Sequence, residues 1–144
     1  MPGFVDTFLN AEVFFRIFPM LLKGVWNTIL LALTTITLGG LAGVLICLAR
    51  LYGPRPLRLL AVLHVDVFRA LPILVVLVLI YYALPFVGIR LNAFTSATLA
   101  LGLVFSAFTA EVFRAGIQSI PEGQTEAAKA LGMPFWAIIY KIIL

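Results

Sequence analysis

The chain has 144 residues, 63% of them hydrophobic and 11% charged, with a mean hydropathy of +1.16. Soluble domains carry about 25% charged residues, so this composition excludes an ordinary soluble domain. The apolar runs are too long and too uniform for the alternating strands of a membrane barrel, which leaves a helical integral membrane protein. In such a chain a net charge of +4 reports topology rather than affinity for nucleic acid.

Residues 1–23 do not read as a cleavable leader, because Asp6 and Glu12 stand where a positive segment belongs. Phe4, Phe8, Ala11, Phe15, Phe18 and Leu22 recur at spacings of four and three, which predicts an amphipathic helix lying in the membrane interface. Residues 24–49 then run 26 positions without a charge. Twelve of them are Leu, Ile or Val, and at the transfer values of such side chains they favour insertion by about 4–7 kcal/mol. This is the first predicted spanning helix. Thr35, Gly39 and Gly43 form a small-residue stripe at intervals of four, which suits either close helix packing, the favoured reading, or the lining of a substrate passage. Cys47 forms no part of a metal or disulfide pattern and reads as a small core residue.

Arg50, Arg55 and Arg58 surround the breakers Gly53, Pro54 and Pro56 in a short basic turn. Short basic loops stay in the cytoplasm, which predicts an N-terminus outside and a first span running inward. Residues 57–69 are mixed, with His64, Asp66 and Arg69 among apolar neighbours. One histidine cannot hold a metal, so His64 reads as structural. Residues 70–89 are uncharged and predict a second span, kinked around Pro72 and leaving the membrane near Leu84 and Pro85. Tyr81 and Tyr82 fit an outer aromatic belt. After a short loop carrying Arg90, residues 91–110 form a third uncharged run. Ser96, Thr98, Ser106 and Thr109 suit it to packing against other helices. Glu111 and Arg114 follow at a spacing that allows an ion pair at the inner boundary.

A short polar helix is predicted over 120–131. Ser119 and Glu122 have capping-box spacing, Pro121 falls in the first turn, and Gly132 with Pro134 beyond it ends the helix. Glu126 and Lys129 belong to its wet side, while Ala127, Ala128 and Leu131 make a smooth patch for a partner. Residues 135–144 read as the opening of a fourth segment, too short to span a bilayer of about 30 Å. Seven of the ten basic residues, namely Arg50, Arg55, Arg58, Arg69, Arg114, Lys129 and Lys141, fall on the predicted inner side. The chain has no GxxxxGK[ST] phosphate loop, no nucleophile–His–acid grouping and no carboxylate pair in a cleft, so enzymatic chemistry is not expected of it.

The run from Glu126 to Leu144 closely resembles the EAA loop of bacterial ABC importer permeases: Glu-Ala-Ala, three residues, Gly, nine residues, Ile, one residue, Leu-Pro. It appears here as Glu126, Ala127, Ala128, Gly132, Ile142 and Leu144, and the chain stops where the proline would come. The stretches from Val65 to Pro85 and from Phe105 to Gly132 resemble the polar amino acid branch, in which an Arg-Gly-Thr-Pro step commonly opens the second span. Arg69, Ala70, Leu71 and Pro72 stand there instead. The resemblance implies an all-α permease-like bundle with three spanning helices, a cytoplasmic coupling helix and the start of a fourth span. The resemblance covers roughly residues 17–144; with the interfacial segment read from the spacing above, the chain divides into 1–23 and an incomplete transmembrane domain, 24–144, with the coupling loop at about 115–134. The resemblance further implies a subunit of the bacterial inner membrane that moves polar amino acids. Glu126, Ala127, Ala128, Leu131 and Gly132 would touch a separate ABC ATPase, which holds the ATP and magnesium, so this chain itself binds no cofactor. A second permease copy or a sister permease, an extracytoplasmic solute-binding protein and membrane lipid complete the implied partners, and no residue identifies the substrate. The competing readings are a non-transporting membrane scaffold or channel-like protein, and an inactive truncated permease.

Overall fold

The computed structural model describes residues 11–138, and within them every regular element is helical. Helix α1 covers Ala11–Tyr52, α2 Arg55–Ala70 and α3 Ile73–Val78. A π-helical turn, Leu79–Ala83, and a 3-10 turn, Leu84–Val87, prolong α3. Helix α4 covers Ala93–Gln118, α5 Glu122–Ala130 and α6 Phe135–Ile138.

Helix α1 has 42 residues, about 63 Å at 1.5 Å per residue, twice the thickness of a hydrocarbon core. The sequence suggested a division at residue 23, but the helix runs unbroken through that point and carries Pro19 inside it. Residues 1–10 of the expected interfacial segment lie outside the described residues, as do residues 139–144 of the expected fourth span.

The second span differs from the expected kinked helix. Helix α2 stops at Ala70, Leu71 is extended (φ −89°, ψ 134°), and the next helix leaves at 106°. Two local causes act together. Pro72 has no N–H to continue the ladder, and its ring pushes the preceding residue out of the helical region. Among the described residues two helices, α1 and α4, are long and apolar enough to cross a membrane alone, and the bent pair Arg55–Ala70 and Ile73–Val87 meets the same test of length and composition only when its two pieces are taken together.

Helices α1 and α4 form the central contact. A Cβ added to Gly39 would lie 3.0 Å from the Gly102 carbonyl, and one added to Gly43 would lie 2.7 Å from Thr109 Cβ and 2.9 Å from the Ser106 carbonyl. Both numbers rise together along the two helices, so α1 and α4 run parallel. Thr35, Gly39 and Gly43 are buried in α1, with Cys47 one turn further on. Two small cores complete the packing. Cys47, Val65 and Ala110 join α1, α2 and α4, and Val76, Ala100 and Val104 join α3 to α4. Asn92 caps α4, its Oδ1 accepting the Thr95 N–H at 2.8 Å.

Candidate functional site

The polar helix forms, but its start differs from the expected capping box. Helix α5 begins at Glu122 with Pro121 as its N-cap, which makes no side-chain capping bond. Ser119 instead closes α4: its backbone stays helical and its hydroxyl donates to the Gly116 carbonyl at 2.8 Å. The far end is as the sequence suggested. Gly132 has φ +72°, its N–H donates to Lys129 O at 2.9 Å, and Met133 N–H donates to Ala128 O at 3.1 Å. That pair of bonds is a Schellman motif, which glycine enters without the Cβ penalty.

The candidate contact residues do not share one open face. Glu126 and Ala127 are exposed, and Leu131 is 81% exposed. Ala128 is 3% exposed. The expected smooth patch of Ala127, Ala128 and Leu131 is therefore interrupted at its middle member; helix α6 touches α5, and its Ile138 is buried as well. What remains free is a short lever with an acidic shoulder at Glu126 and a large apolar tip at Leu131.

A charged junction stands at the end of α4 nearest this lever. Glu111 accepts from Arg50 Nη1 of α1 at 2.7 Å. It also accepts from Arg114 one turn along α4, through Nε at 3.1 Å and through Nη2. Arg69 of α2 lies 3.9 Å from the same carboxylate, with its guanidinium 5.5 Å from the centre of the Phe108 ring. Arg114 reaches on to Gln118, in the last turn before the lever. One carboxylate thus joins three helices. The sequence exposed only the Glu111–Arg114 pair. Arg50 could have been found too: it is the first charge after the run 24–49, as Glu111 is after the run 91–110. In parallel neighbouring helices, those two positions meet at one depth.

Above the junction, His64 packs on Phe68 with ring centres 4.7 Å apart, and its Nε2 lies 2.9 Å from Ser106 Oγ. The Ser106 hydroxyl donates to Leu103 O at 2.8 Å, which leaves its oxygen to accept from His64. A cleft of about 510 Å³ opens beside this pair, lined by Gly39, Ala42, Thr98 and Gly102. Thr35 and Ser96 are buried with hydroxyls that find no partner among the described residues. Among those residues, no three His, Cys, Asp or Glu side chains gather as metal ligands.

Residues 35–144 match the model of a family described as the binding-protein-dependent transport system inner membrane component. The chain is 36% identical over 135 residues to a probable amino-acid ABC transporter permease, YckA of Bacillus subtilis (strain 168), an alignment covering 94% of this chain and 60% of the relative. It is 35% identical to a probable glutamine ABC transporter permease, GlnM, of the same organism, covering 94% of this chain and 63% of that one. The L-cystine transport system permease TcyB, also from that organism, is 35% identical over 88% of this chain and 54% of its own length. A solved structure titled as an amino acid ABC transporter with histidines superposes with a TM-score of 0.83 at 35% identity. That match covers 94% of this chain and 63% of the other. The chain therefore spans roughly three-fifths of the length of these relatives.

Proposed function

This chain belongs to the family of binding-protein-dependent transport system inner membrane components, and from that membership we propose that it acts as the permease subunit of an ATP-driven importer of polar amino acids. It is an integral inner-membrane protein that performs no reaction of its own. ATP and magnesium belong to a separate ATPase. A solute-binding protein delivers substrate from outside, and a second permease, identical or related, completes the passage. The N-terminus faces outward and α5 faces the cytoplasm, in keeping with the placement of seven of the ten basic residues. The substrate class comes from the relatives named for amino acids, glutamine and L-cystine.

The observation that carries the coupling role is the shape of α5. It is a nine-residue helix, Glu122–Ala130, with a closed Schellman end and Leu131 standing out beyond it. A helix closed in this way transmits force rather than fraying. Glu126 and Leu131 offer an acidic and an apolar contact to a groove on the ATPase. The end of α4 stands three residues away, so a push on α5 reaches Gln118, Arg114 and the Glu111 junction.

The test is substrate-stimulated ATP hydrolysis by the assembled complex in vesicles. Glu126→Lys reverses the acidic shoulder on an exposed residue, so insertion should be normal. Stimulated hydrolysis should fall at least tenfold, the loss of about 1.4 kcal/mol of coupling. Normal coupled transport by Glu126→Lys would remove α5 from this role.

A further inference from the structure

Helix α2 lies across the bundle rather than along it. Val65 packs with Ala110 in one core, and Arg69, one turn later on α2, meets Glu111, so both touch α4 at the same depth. His64 meets Ser106, and Phe68, one turn later, packs with the core containing Val104. Each pair moves one turn along α2 without descending α4. The following segment does climb: Val76 packs on Ala100 and Val104, and the bend between the two pieces is 106°.

A crosswise helix has four sides, and here the charges gather on one of them, with Val62 among them and the exposed Leu59 beside Asp66. At about 100° per residue, Ala61, Val65 and Phe68 face α1 and α4, where Ala61 and Val65 are buried. Arg69 points toward the α5 end, and Arg55, Arg58 and Asp66 lie on the same edge, all exposed. That edge carries three positive charges and one negative. The remaining sides carry Leu60, Leu63 and Val67; Leu60 is 63% and Leu63 59% exposed. They point outward and toward the middle of the bundle's height. The charged edge lies at the depth of Arg50 and Glu111, where the uncharged runs 24–49 and 91–110 end.

We propose that α2 is an interfacial helix of the cytoplasmic leaflet, with Leu60, Leu63 and Val67 among acyl chains and Arg55, Arg58 and Arg69 at the headgroups of anionic phospholipid. The orientation rests on the topology given above. The helix is amphipathic with its charged edge at the end of the apolar runs, which is how a helix lies in an interface rather than across it. Charge selects the occupant. An anionic leaflet supplies phosphates to the arginine edge, each basic side chain adding to the attraction. A second copy of this chain seated on the same face would bring two arginine edges together. Pro72 gives the arrangement its purpose: it ends the flat helix and lets the crossing resume beyond it.

The experiment places spin labels at Leu60, Leu63 and Asp66, each changed to Cys in a Cys47→Ala background. The full chain is reconstituted into vesicles of phosphatidylglycerol and phosphatidylcholine. Labels at 60 and 63 should collide preferentially with oxygen, and the label at 66 with a water-soluble nickel chelate. In parallel, the Arg55→Gln, Arg58→Gln double variant should copurify with about fivefold less phosphatidylglycerol relative to phosphatidylcholine. Labels at 60 and 63 as open to nickel as the label at 66, or shielded from both reagents and spin-coupled to a neighbouring copy, would overturn the proposal. So would an unchanged lipid ratio. Retention of an ATPase is scored on the same wild-type sample. Failed retention with lipid-facing labels removes the importer reading and leaves this one, and the converse result does the opposite.

Discussion

Helices α1 and α4 are held together by contacts of opposite kinds at two levels. Around Gly39 and Gly43 there is almost nothing between them: the backbones close in because α1 has no side chain there. Two turns further on, at Arg50 and Glu111, the same helices are joined by long charged side chains. The first contact fails by addition and the second by subtraction. A glycine seam is specified by the absence of atoms, so any added carbon must move a helix. An ion junction is specified by balance, so losing one partner strands the others.

The strongest way to break this comparison is to fill the seam. Gly43→Leu puts a branched side chain where even a Cβ would lie 2.7 Å from Thr109 Cβ. It should cost about 3 kcal/mol or more, with Gly43→Ala at about 1–3 kcal/mol. Thermal unfolding of the detergent-solubilised chain checks both. Gly40 supplies the internal control, since among the described residues, its own helix backbone aside, its added Cβ would meet nothing nearer than Phe105 Cε1 at 3.9 Å. Gly40→Ala should be neutral or mildly stabilising, by up to about 1 kcal/mol through helix propensity. Equal losses at Gly40 and Gly43 would mean that the seam is not set by backbone approach.

The next largest effect comes from the junction. Glu111→Gln removes the charge that Arg50 and Arg114 share. A fully buried ion pair broken on one side costs about 3–5 kcal/mol, but these groups are a fifth to a quarter exposed, so about 2 kcal/mol is expected. The signature is partial rescue. Glu111→Gln with Arg50→Met should unfold at a higher temperature than Glu111→Gln alone, because one stranded guanidinium is gone. No such recovery would make the junction a set of independent surface contacts.

These two contacts were not equally legible in the sequence. The glycine stripe is visible in the sequence, where packing and the lining of a passage are both open to it, and the structure sets Gly39 and Gly43 against the backbone of α4. The partner helix is not visible there, since nothing in the run 24–49 says that Gly102, Ser106 and Thr109 complete the seam. The junction was half visible: Glu111–Arg114 is a local spacing, whereas Arg50 is 61 residues away and depends on α1 and α4 being parallel. At Pro72 the local rules allow either a kink or a full break, and the sequence alone does not choose between them. The crosswise course of α2 depends on where Val65, His64 and Phe68 find partners, and only the tertiary packing decides that. In α5, Gly132 was legible because a left-handed residue demands glycine. Ser119 misled because its hydroxyl had two nearby uses, and it closes the preceding helix.

The smallest effect is the most useful for sharpening the comparison. Arg69 reaches Glu111 only at 3.9 Å, its side chain is 42% exposed, and it lies over the Phe108 ring. Arg69→Gln should therefore cost about 0.5 kcal/mol, the scale of an exposed pair or an exposed cation–π contact. Arg50→Gln, at 2.7 Å and with a side chain 24% exposed against 42%, should cost several times more in the same unfolding measurement. That ordering would mean that charge fastens α1 to α4, while α2 is held by the packing of Ala61 and Val65 and only touches the junction. If Arg69→Gln matched Arg50→Gln, the carboxylate would be clamping all three helices equally. A movement of α5 passed up through Arg114 would then reach α2 as directly as α1.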